Sequence, residues 1–445
     1  MIMDKKVAFL TLGCKLNYAE TSTYERDFVR NGFSAVPWEE KADVYVVNTC
    51  TVTEHSDKKA RNIIRKVHRV SPEAAVVVTG CYAELKKEEI RGIEGVSLVF
   101  GASEKGSLVS ETIRYMSAAG SGNTASGYTD EQSSENVAEG ADGIISKKQA
   151  AAEGMFRAYS SGERTRSFLK VQDGCNNFCA YCTVPFARGR SRNSSISDLV
   201  KETESIAAEG IKEIVLTGVN TGDFGRTTGE SFLELLQRLN EVEGIERYRI
   251  SSIEPNLITD TIVDWIASGT KFLPHFHIPL QSGSDTILKT MGRHYDTEFF
   301  ASKIDYIRSR METPGKPKVF FGIDVIAGLP GESDALFEEG FSFLKTRIRP
   351  AFIHIFPYSR RPGTRAYGMS GQVQESVKTL RVKRLEELCE TLHEEFVSAN
   401  KGVRERVLFE STDKDGLMSG YTGNYIRVER PWDPSLVGKI VDITL

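Results

Sequence analysis

Val-rich runs alternate with amphipathic segments along the first quarter of the chain. Val7–Leu12, Asp43–Asn48 and Ala75–Thr79 read as buried strands, with helical patterns between them up to about Met116. This is the pattern of βα units and a parallel sheet. Ser117 to Gly143 then carries almost no large apolar residue, so it cannot bury enough surface to order itself and reads as a linker or mobile insertion. From Phe168 the alternation resumes. Strands are expected at Phe168–Gln172, Glu213–Thr217, Arg247–Ile253, His275–Leu280, Val319–Ala327 and Phe352–Tyr358. Helical patterns lie between most of them, including Ser197–Glu209, Phe232–Val242 and Ala335–Lys345, and Arg381–Phe396 reads as a closing helix. Six βα-type repeats suggest a barrel, an incomplete one by count. After Gly402 short strands and turns take over (Arg406–Glu410, Tyr425–Val428, Val437–Thr444), as in a small all-β module.

The expected fold class is therefore α/β: an N-terminal parallel α/β domain, a central partial TIM-like (βα)6 barrel and a C-terminal small β-barrel. The boundaries fall at residues 1–116, a linker over 117–160, the barrel over 161–398 and the last module over 399–445.

Composition narrows the class. The 445 residues carry 57 Lys and Arg against 61 Asp and Glu, a net charge of −4, with 40% hydrophobic and 27% charged residues. These values fit a globular chain and exclude collagen-like, coiled-coil or wholly disordered classes. The apolar run at Val7–Leu12 is too short for a signal peptide or a membrane span, and no other stretch qualifies. A cytoplasmic protein without a membrane partner is expected, in which seven cysteines are not structural disulfides. Mild acidity gives no general support for nucleic-acid binding, so that reading rests on local basic groups.

The cysteines carry the chemistry. Cys175, Cys179 and Cys182 lie within eight residues, just past a predicted barrel strand, at the face where barrel enzymes build their sites. Core cysteines need no such spacing. Zinc favours four ligands or three plus water, usually in paired Cys-x2-Cys groups, and a redox dithiol at Cys179 and Cys182 leaves Cys175 without a role. Tightly spaced soft thiolates favour an iron–sulfur cluster, and a four-iron cluster on three cysteines leaves one iron open. A second group follows from position. Cys14, Cys50 and Cys81 each stand two residues past the end of a Val-rich run, and ligand sites of open α/β sheets lie outside the carboxyl ends of the strands. Three equivalent placements in one small domain point to a second three-thiolate site. Cys389, by contrast, falls with Leu385, Leu388, Leu392 and Phe396 on one helical face and reads as core.

The Cys-x3-Cys-x2-Cys loop resembles the hallmark of the radical S-adenosylmethionine (SAM) enzymes, with Phe178 in the aromatic position before the second cysteine. Gly13-Cys14-Lys15-Leu16-Asn17, Asn48-Thr49-Cys50, Gly80-Cys81-Tyr82 and the segments Pro279–Ser284, Asp324–Glu332 and Phe356–Thr364 extend the likeness. Together they resemble the radical SAM methylthiotransferases over almost the whole chain except the Ser/Gly-rich insertion. That resemblance implies two 4Fe-4S clusters, one on each cysteine triad, with SAM on the open iron of the cluster held by Cys175, Cys179 and Cys182 and the sulfur on that held by Cys14, Cys50 and Cys81. It implies replacement of an adenosine C2–H bond by C2–S–CH3, and identifies the last module as an RNA-binding TRAM domain. Lys15, and Thr51 to Glu54 after the second cysteine, look most like the subgroup acting on N6-threonylcarbamoyladenosine at position 37 of tRNA. The alternatives are the subgroups acting on isopentenyladenosine in tRNA or on a ribosomal-protein aspartate. A non-enzymatic iron–sulfur protein that binds RNA or senses oxidants explains the cysteines but not the barrel.

The resemblance implies further partners: the tRNA anticodon stem-loop, an electron donor such as flavodoxin or ferredoxin, and a sulfur donor, around a monomeric enzyme. For SAM, Gly218 and Asn220 at the end of the second barrel strand match the segment that receives the methionine amino group. Glu254 and Gln281 at later strand ends are candidate polar contacts, and the Gly328–Gly331 turn would bring backbone near the adenine. Three basic groups are RNA candidates: Arg188, Arg190 and Arg192 after the cluster loop; Arg360, Arg361 and Arg365; and Lys58, Arg61, Arg65 and Arg69 on one helical stripe. The first group has the better claim. No side chain stands out as a separate acid or base.

Overall fold

A computed structural model describes residues 5–51, 53–120, 155–162 and 165–445. The chain divides into two compact units, Met1–Ala158 with Thr183–Arg190, and Tyr159–Cys182 with Ser191–Leu445. Among the described residues no helix is long and apolar enough to cross a membrane.

The first unit runs β1 (Lys6–Thr11), α1 (Lys15–Arg30), β2 (Ser34–Val36), β3 (Val44–Thr49), α2 (Glu54–Val70), β4 (Ala75–Gly80), α3 (Cys81–Leu85), α4 (Lys87–Arg91), β5 (Val96–Val99) and α5 (Leu108–Gly120), and adds α6 (Val184–Arg188). All five strands are parallel, in the order β2-β1-β3-β4-β5. Every residue of β3 and β4 is buried, because helices cover both faces of the sheet. One face packs Val7, Val44, Val46 and Val77 on Tyr24 and Phe28 of α1 and Leu108 and Met116 of α5. The other packs Tyr45, Val47, Val76 and Val78 on Ala60, Ile64 and Val67 of α2. The two short edge strands give no sequence signal of their own. Helix α5 continues to Gly120 and takes in the first four residues of the expected insertion; residues 121–143 of that insertion lie outside the described residues.

In the second unit the strands are β6 (Arg166–Lys170), the short antiparallel pair β7 (Gln172–Asp173) and β8 (Arg192–Asn193), then β9 (Glu213–Thr217), β10 (Arg247–Ile250), β11 (His275–Gln281), β12 (Phe320–Ala327) and β13 (Phe352–Pro357). β6, β9 and β10 form one parallel ladder and β11, β12 and β13 another. The Ile253 N–H donates to the His277 carbonyl across the joint at 3.1 Å, so six strands follow one another in chain order. The helices are α7 (Ile196–Ala208), α8 (Phe232–Glu241), α9 (Asp260–Ala267), α10 (Asp285–Met291), α11 (Thr297–Met311), α12 (Asp334–Ser342) and α13 (Glu375–Ala399). One set of alternate strand residues (Leu169, Ile214, Leu216, Tyr248, Phe276, Ile278, Phe321, Ile323, Ile353) packs against these helices as the main core. Cys389 belongs to that core and takes the Ile353 N–H at 3.2 Å, as its helical spacing predicts. The opposite set faces the barrel lumen and includes Lys170, Glu213, Thr217, Arg247, Arg249, His277, Asp324 and His354.

The C-terminal module is a curled antiparallel sheet of β14 (Arg404–Lys414), β15 (Leu417–Tyr421), β16 (Arg427–Pro431) and β17 (Ile440–Thr444), ordered β16-β15-β14-β17. It meets the amino ends of the barrel strands through buried charge. Arg249 donates to the carbonyls of Thr422 and Gly423, both at 2.7 Å, and Arg247 to those of Arg406 and Tyr421, both at 3.0 Å. Arg166 reaches Glu410 at 2.6 Å and the Tyr425 hydroxyl at 2.8 Å. Glu213 lies among all three arginines.

Candidate iron–sulfur and cosubstrate sites

The loop after β7 carries Cys175 and Cys179, both buried, and Cys182, half-buried. Among the described residues no cysteine is in a disulfide. Gln172 sets this loop. Its amide nitrogen donates to the Asp173 and Gly174 carbonyls and to Ser191 Oγ, while its oxygen accepts the N–H groups of Val219 and Asn220, each at 2.9 Å. One buried side chain thereby ties the start of the cysteine loop to the end of β9, where Gly218 and Asn220 are expected to serve the cosubstrate. Phe178 holds a left-handed backbone, φ +47°, and is partly exposed on the loop. Burial pushes the Cys175 thiol up to about 11, while the Asn177 N–H at 3.5 Å acts to lower it.

Arg293 is the neighbour that motif reading did not find. Its guanidinium donates to Cys179 Sγ at 3.1 Å and pairs with Glu254 at 2.5 Å, braced by the Tyr295 hydroxyl at 2.6 Å. Burial raises the Glu254 carboxyl, and Arg293 opposes that. Asn220 is buried and its side-chain oxygen accepts the Glu254 N–H at 3.2 Å, so these two candidates are brought together. Gln281 takes φ +72° at an irregularity in the β11–β12 ladder between Pro279 and Gln281, a device that re-aims a side chain at a strand end. In the turn after β12, the Gly328 N–H donates to Glu332 at 2.7 Å, and Arg381 holds Glu332 at 2.8 Å. Three thiols on one loop, one met by a guanidinium and one by a backbone N–H, make a donor set suited to thiolate ligation.

The other triad stands at the carboxyl edge of three adjacent strands. Cys14 follows β1 and is the N-cap of α1, Cys50 directly follows β3, and Cys81 directly follows β4. Registers place Thr11, Asn48 and Thr79 side by side, so the cysteines emerge at one level of strands about 4.8 Å apart. Two glycines allow the approach. A Cβ on Gly13, φ +101°, would come within 2.7 Å of Cys50 Cβ; one on Gly80, φ +98°, within 2.3 Å of the Thr49 carbonyl. Asn17 bridges the loops, donating to Leu12 O at 2.8 Å and Thr49 O at 3.1 Å. Burial raises the Cys81 thiol, and the nearby Arg188 and Lys105 cations pull it back down. Both cations converge on the buried Glu20, Lys105 at 2.8 Å and Arg188 at 3.2 Å, leaving one net positive charge beside the thiols.

Those ion pairs correct the expectation for Arg188. It is 3% exposed and engaged with Glu20 and Asn17, so it supports the cysteine site and cannot receive RNA phosphate. Arg192 pairs with Asp173, and Arg361 is buried. On α2, Lys58, Lys59, Arg65, Lys66 and Arg69 are exposed.

Residues 6–101 match Uncharacterized protein family UPF0004, and residues 169–344 match the Radical SAM superfamily. The threonylcarbamoyladenosine tRNA methylthiotransferase MtaB of Bacillus subtilis (strain 168) is 38% identical, over 99% of this chain and 93% of its own. The enzyme of the same name from Aquifex aeolicus (strain VF5) is 36% identical, over 99% of this chain and all of its own. Among solved structures, the radical S-adenosylmethionine methyltransferase TsrM from Kitasatospora setae shares the fold, with a TM-score of 0.55 at 15% identity, over 82% of this chain and 77% of that one. Similarity at this level, from the first strand to the C-terminal sheet, shows that the chain belongs to the threonylcarbamoyladenosine tRNA methylthiotransferases of the radical SAM superfamily.

Proposed function

We propose that this chain converts N6-threonylcarbamoyladenosine at position 37 of tRNA to its 2-methylthio derivative, with the two cysteine triads dividing the work. The observation that carries this reading is the pair of three-thiol sites, one at the carboxyl edge of the first unit's parallel sheet and one on the loop after β7, past the carboxyl end of β6. When bound, a four-iron cluster and SAM supply a one-electron route to a C2–H bond that acid–base catalysis cannot activate. Cys175, Cys179 and Cys182 would hold that cluster. Gln172 fixes the loop that carries them, Arg293 orients Cys179 and Glu254, and the turn at Gly328 presents backbone at the neighbouring strand end. Cys14, Cys50 and Cys81 would hold the second cluster, which carries the sulfur. The reaction further requires a one-electron reductant, of the flavodoxin or ferredoxin class, and a sulfur donor. The protein's own contribution is binding, orientation and local electrostatics.

For the tRNA, charge favours α2. Six Lys and Arg on this helix face two acids, in a chain whose total charge is −4. In the C-terminal sheet Arg404 pairs with Asp442, Arg406 with Glu246 and Arg427 with Glu429, so much of its positive charge is already neutralised. Such an exposed cationic helix attracts phosphate without reading sequence.

Nucleoside mass spectrometry of tRNA from cells with and without this protein tests the reading. Loss of the methylthio group from threonylcarbamoyladenosine is expected. Unchanged tRNA, with a methylthio group lost from a ribosomal protein, would refute it.

A further inference from the structure

The lumen face of β11, β12 and β13 carries a polar cluster that the cysteine chemistry does not use. His277, Asp324 and His354 occupy neighbouring strands, and one nitrogen or oxygen of each lies within 4.8 Å of the others. His277 Nε2 meets Asp324 Oδ1 at 2.6 Å, and the two imidazoles are 4.7 Å apart, tilted by 42°. Their strand neighbours Ile278, Ile323 and Ile353 belong to the helix-covered core, which fixes the opposite direction as the lumen. Gly322, between them, lies close to His354, where an added Cβ would come within 3.4 Å of His354 Nε2. Two residues to either side of His354, Phe352 and Phe356 are 38% and 43% exposed on the same face of the strand.

Half-buried imidazoles and a carboxylate need polar partners, part of which the His277–Asp324 pair supplies, and apolar side chains there would pack at least as well, so the polar set is suited to a polar ligand rather than to packing. Exposed aromatic rings beside them are a platform on which a base can stack. The strand of His277 is also tied to the cysteine loop: the Pro279 carbonyl accepts from Arg293 at 3.4 Å, and Arg293 donates to Cys179. We infer that His277, Asp324 and His354 form the subsite for the N6 substituent of the substrate adenosine, with Phe356, toward the carboxyl end of β13, alongside the base. This rests on the reading that the substrate carries a threonylcarbamoyl group. That group offers a carboxylate, a hydroxyl and urea N–H groups. His354 donates a ring N–H to the carboxylate, Asp324 accepts from a urea N–H or the hydroxyl, and His277 holds the Asp324 carboxylate in place. An apolar isopentenyl group in the same position gives these side chains no polar partner, the situation in which a hydrogen-bonding site rejects an analogue most strongly.

The test uses reconstituted holoenzyme and two anticodon stem-loop RNAs, one with threonylcarbamoyladenosine and one with isopentenyladenosine. Wild type, His354→Phe and His354→Gln are compared for kcat and KM of methylthiolation and for metal content. His354→Phe is expected to raise KM for the threonylcarbamoyl RNA at least about tenfold and to narrow the preference between the two RNAs, with His354→Gln recovering part of both. A wild type that prefers the threonylcarbamoyl RNA, with His354→Phe keeping its KM and preference or losing both RNAs equally, overturns the inference alone. A divalent ion held by wild type and lost in His354→Phe overturns it too, making the cluster a metal site. A wild type acting only on the isopentenyl RNA overturns the reading beneath it.

Discussion

Replacing Glu213 with Gln should loosen the C-terminal sheet from the barrel. Glu213 is fully buried, with Arg249 at 2.8 Å, Arg247 at 2.5 Å and Arg166 at 3.8 Å. Burial alone would raise its carboxyl, but Arg249, Arg247 and Arg166 together hold it down to about 2, against an ordinary 4.5. That difference corresponds to ~3 kcal/mol of stability at neutral pH. The folded value lies below the unfolded one, so this contribution is complete above about pH 4.5 and is lost as the pH falls toward 2. The amide keeps the volume but leaves three buried guanidinium groups facing one another. In scanning calorimetry of the holoprotein at pH 7, the larger unit of E213Q should melt roughly 6 °C lower than wild type. Its further decline between pH 4.5 and pH 3 should be shallower than that of wild type. Equal melting at pH 7, or an identical acid decline, would mean that the three arginines do not depend on this carboxylate.

Two more outcomes follow from single features of the first unit. Gly80→Ala puts a methyl 2.3 Å from the Thr49 carbonyl at φ +98°, which should destabilise that unit by ~1–3 kcal/mol and lower its iron content while 5′-deoxyadenosine formation survives; full iron loading would refute the packing argument. Changing Lys58, Lys59, Arg65, Lys66 and Arg69 to Gln should weaken tRNA binding and flatten its salt dependence, by up to ~0.9 in log–log slope for each phosphate no longer neutralised. The same slope as wild type, with weaker binding instead on changing Arg404 and Arg427, would move the RNA face to the C-terminal sheet.

Sequence alone reveals what the chain encodes locally. The Val-rich strands of the first unit, Glu213–Thr217 and both cysteine triads stand out because their signals lie within a few residues. Arg188 misleads because a run of arginines after a loop looks solvent-facing, whereas its partner Glu20 lies 168 positions away. Arg293 and the arginine cluster around Glu213 are invisible for the same reason: the partners meet only after six strands have closed and the C-terminal sheet has docked. The polar triad is hidden in ordinary strand patterns. His277, Asp324 and His354 each sit in an alternating position, and only the pairing of β11, β12 and β13 aligns them.

The division of labour between the two cysteine sites is the central claim, and one pair of variants tests it most directly. Cys179→Ala and Cys50→Ala are reconstituted in parallel and assayed for iron, 5′-deoxyadenosine and methylthiolated RNA. Cys179→Ala should abolish 5′-deoxyadenosine formation, because the loop that holds the reducing cluster is broken. Cys50→Ala should keep that formation measurable while ending methylthiolation, and each variant should retain roughly half the iron of wild type, given two clusters of like nuclearity. If both variants stay folded yet lose all iron and all 5′-deoxyadenosine, the six thiols serve one shared site and the two-site account is wrong.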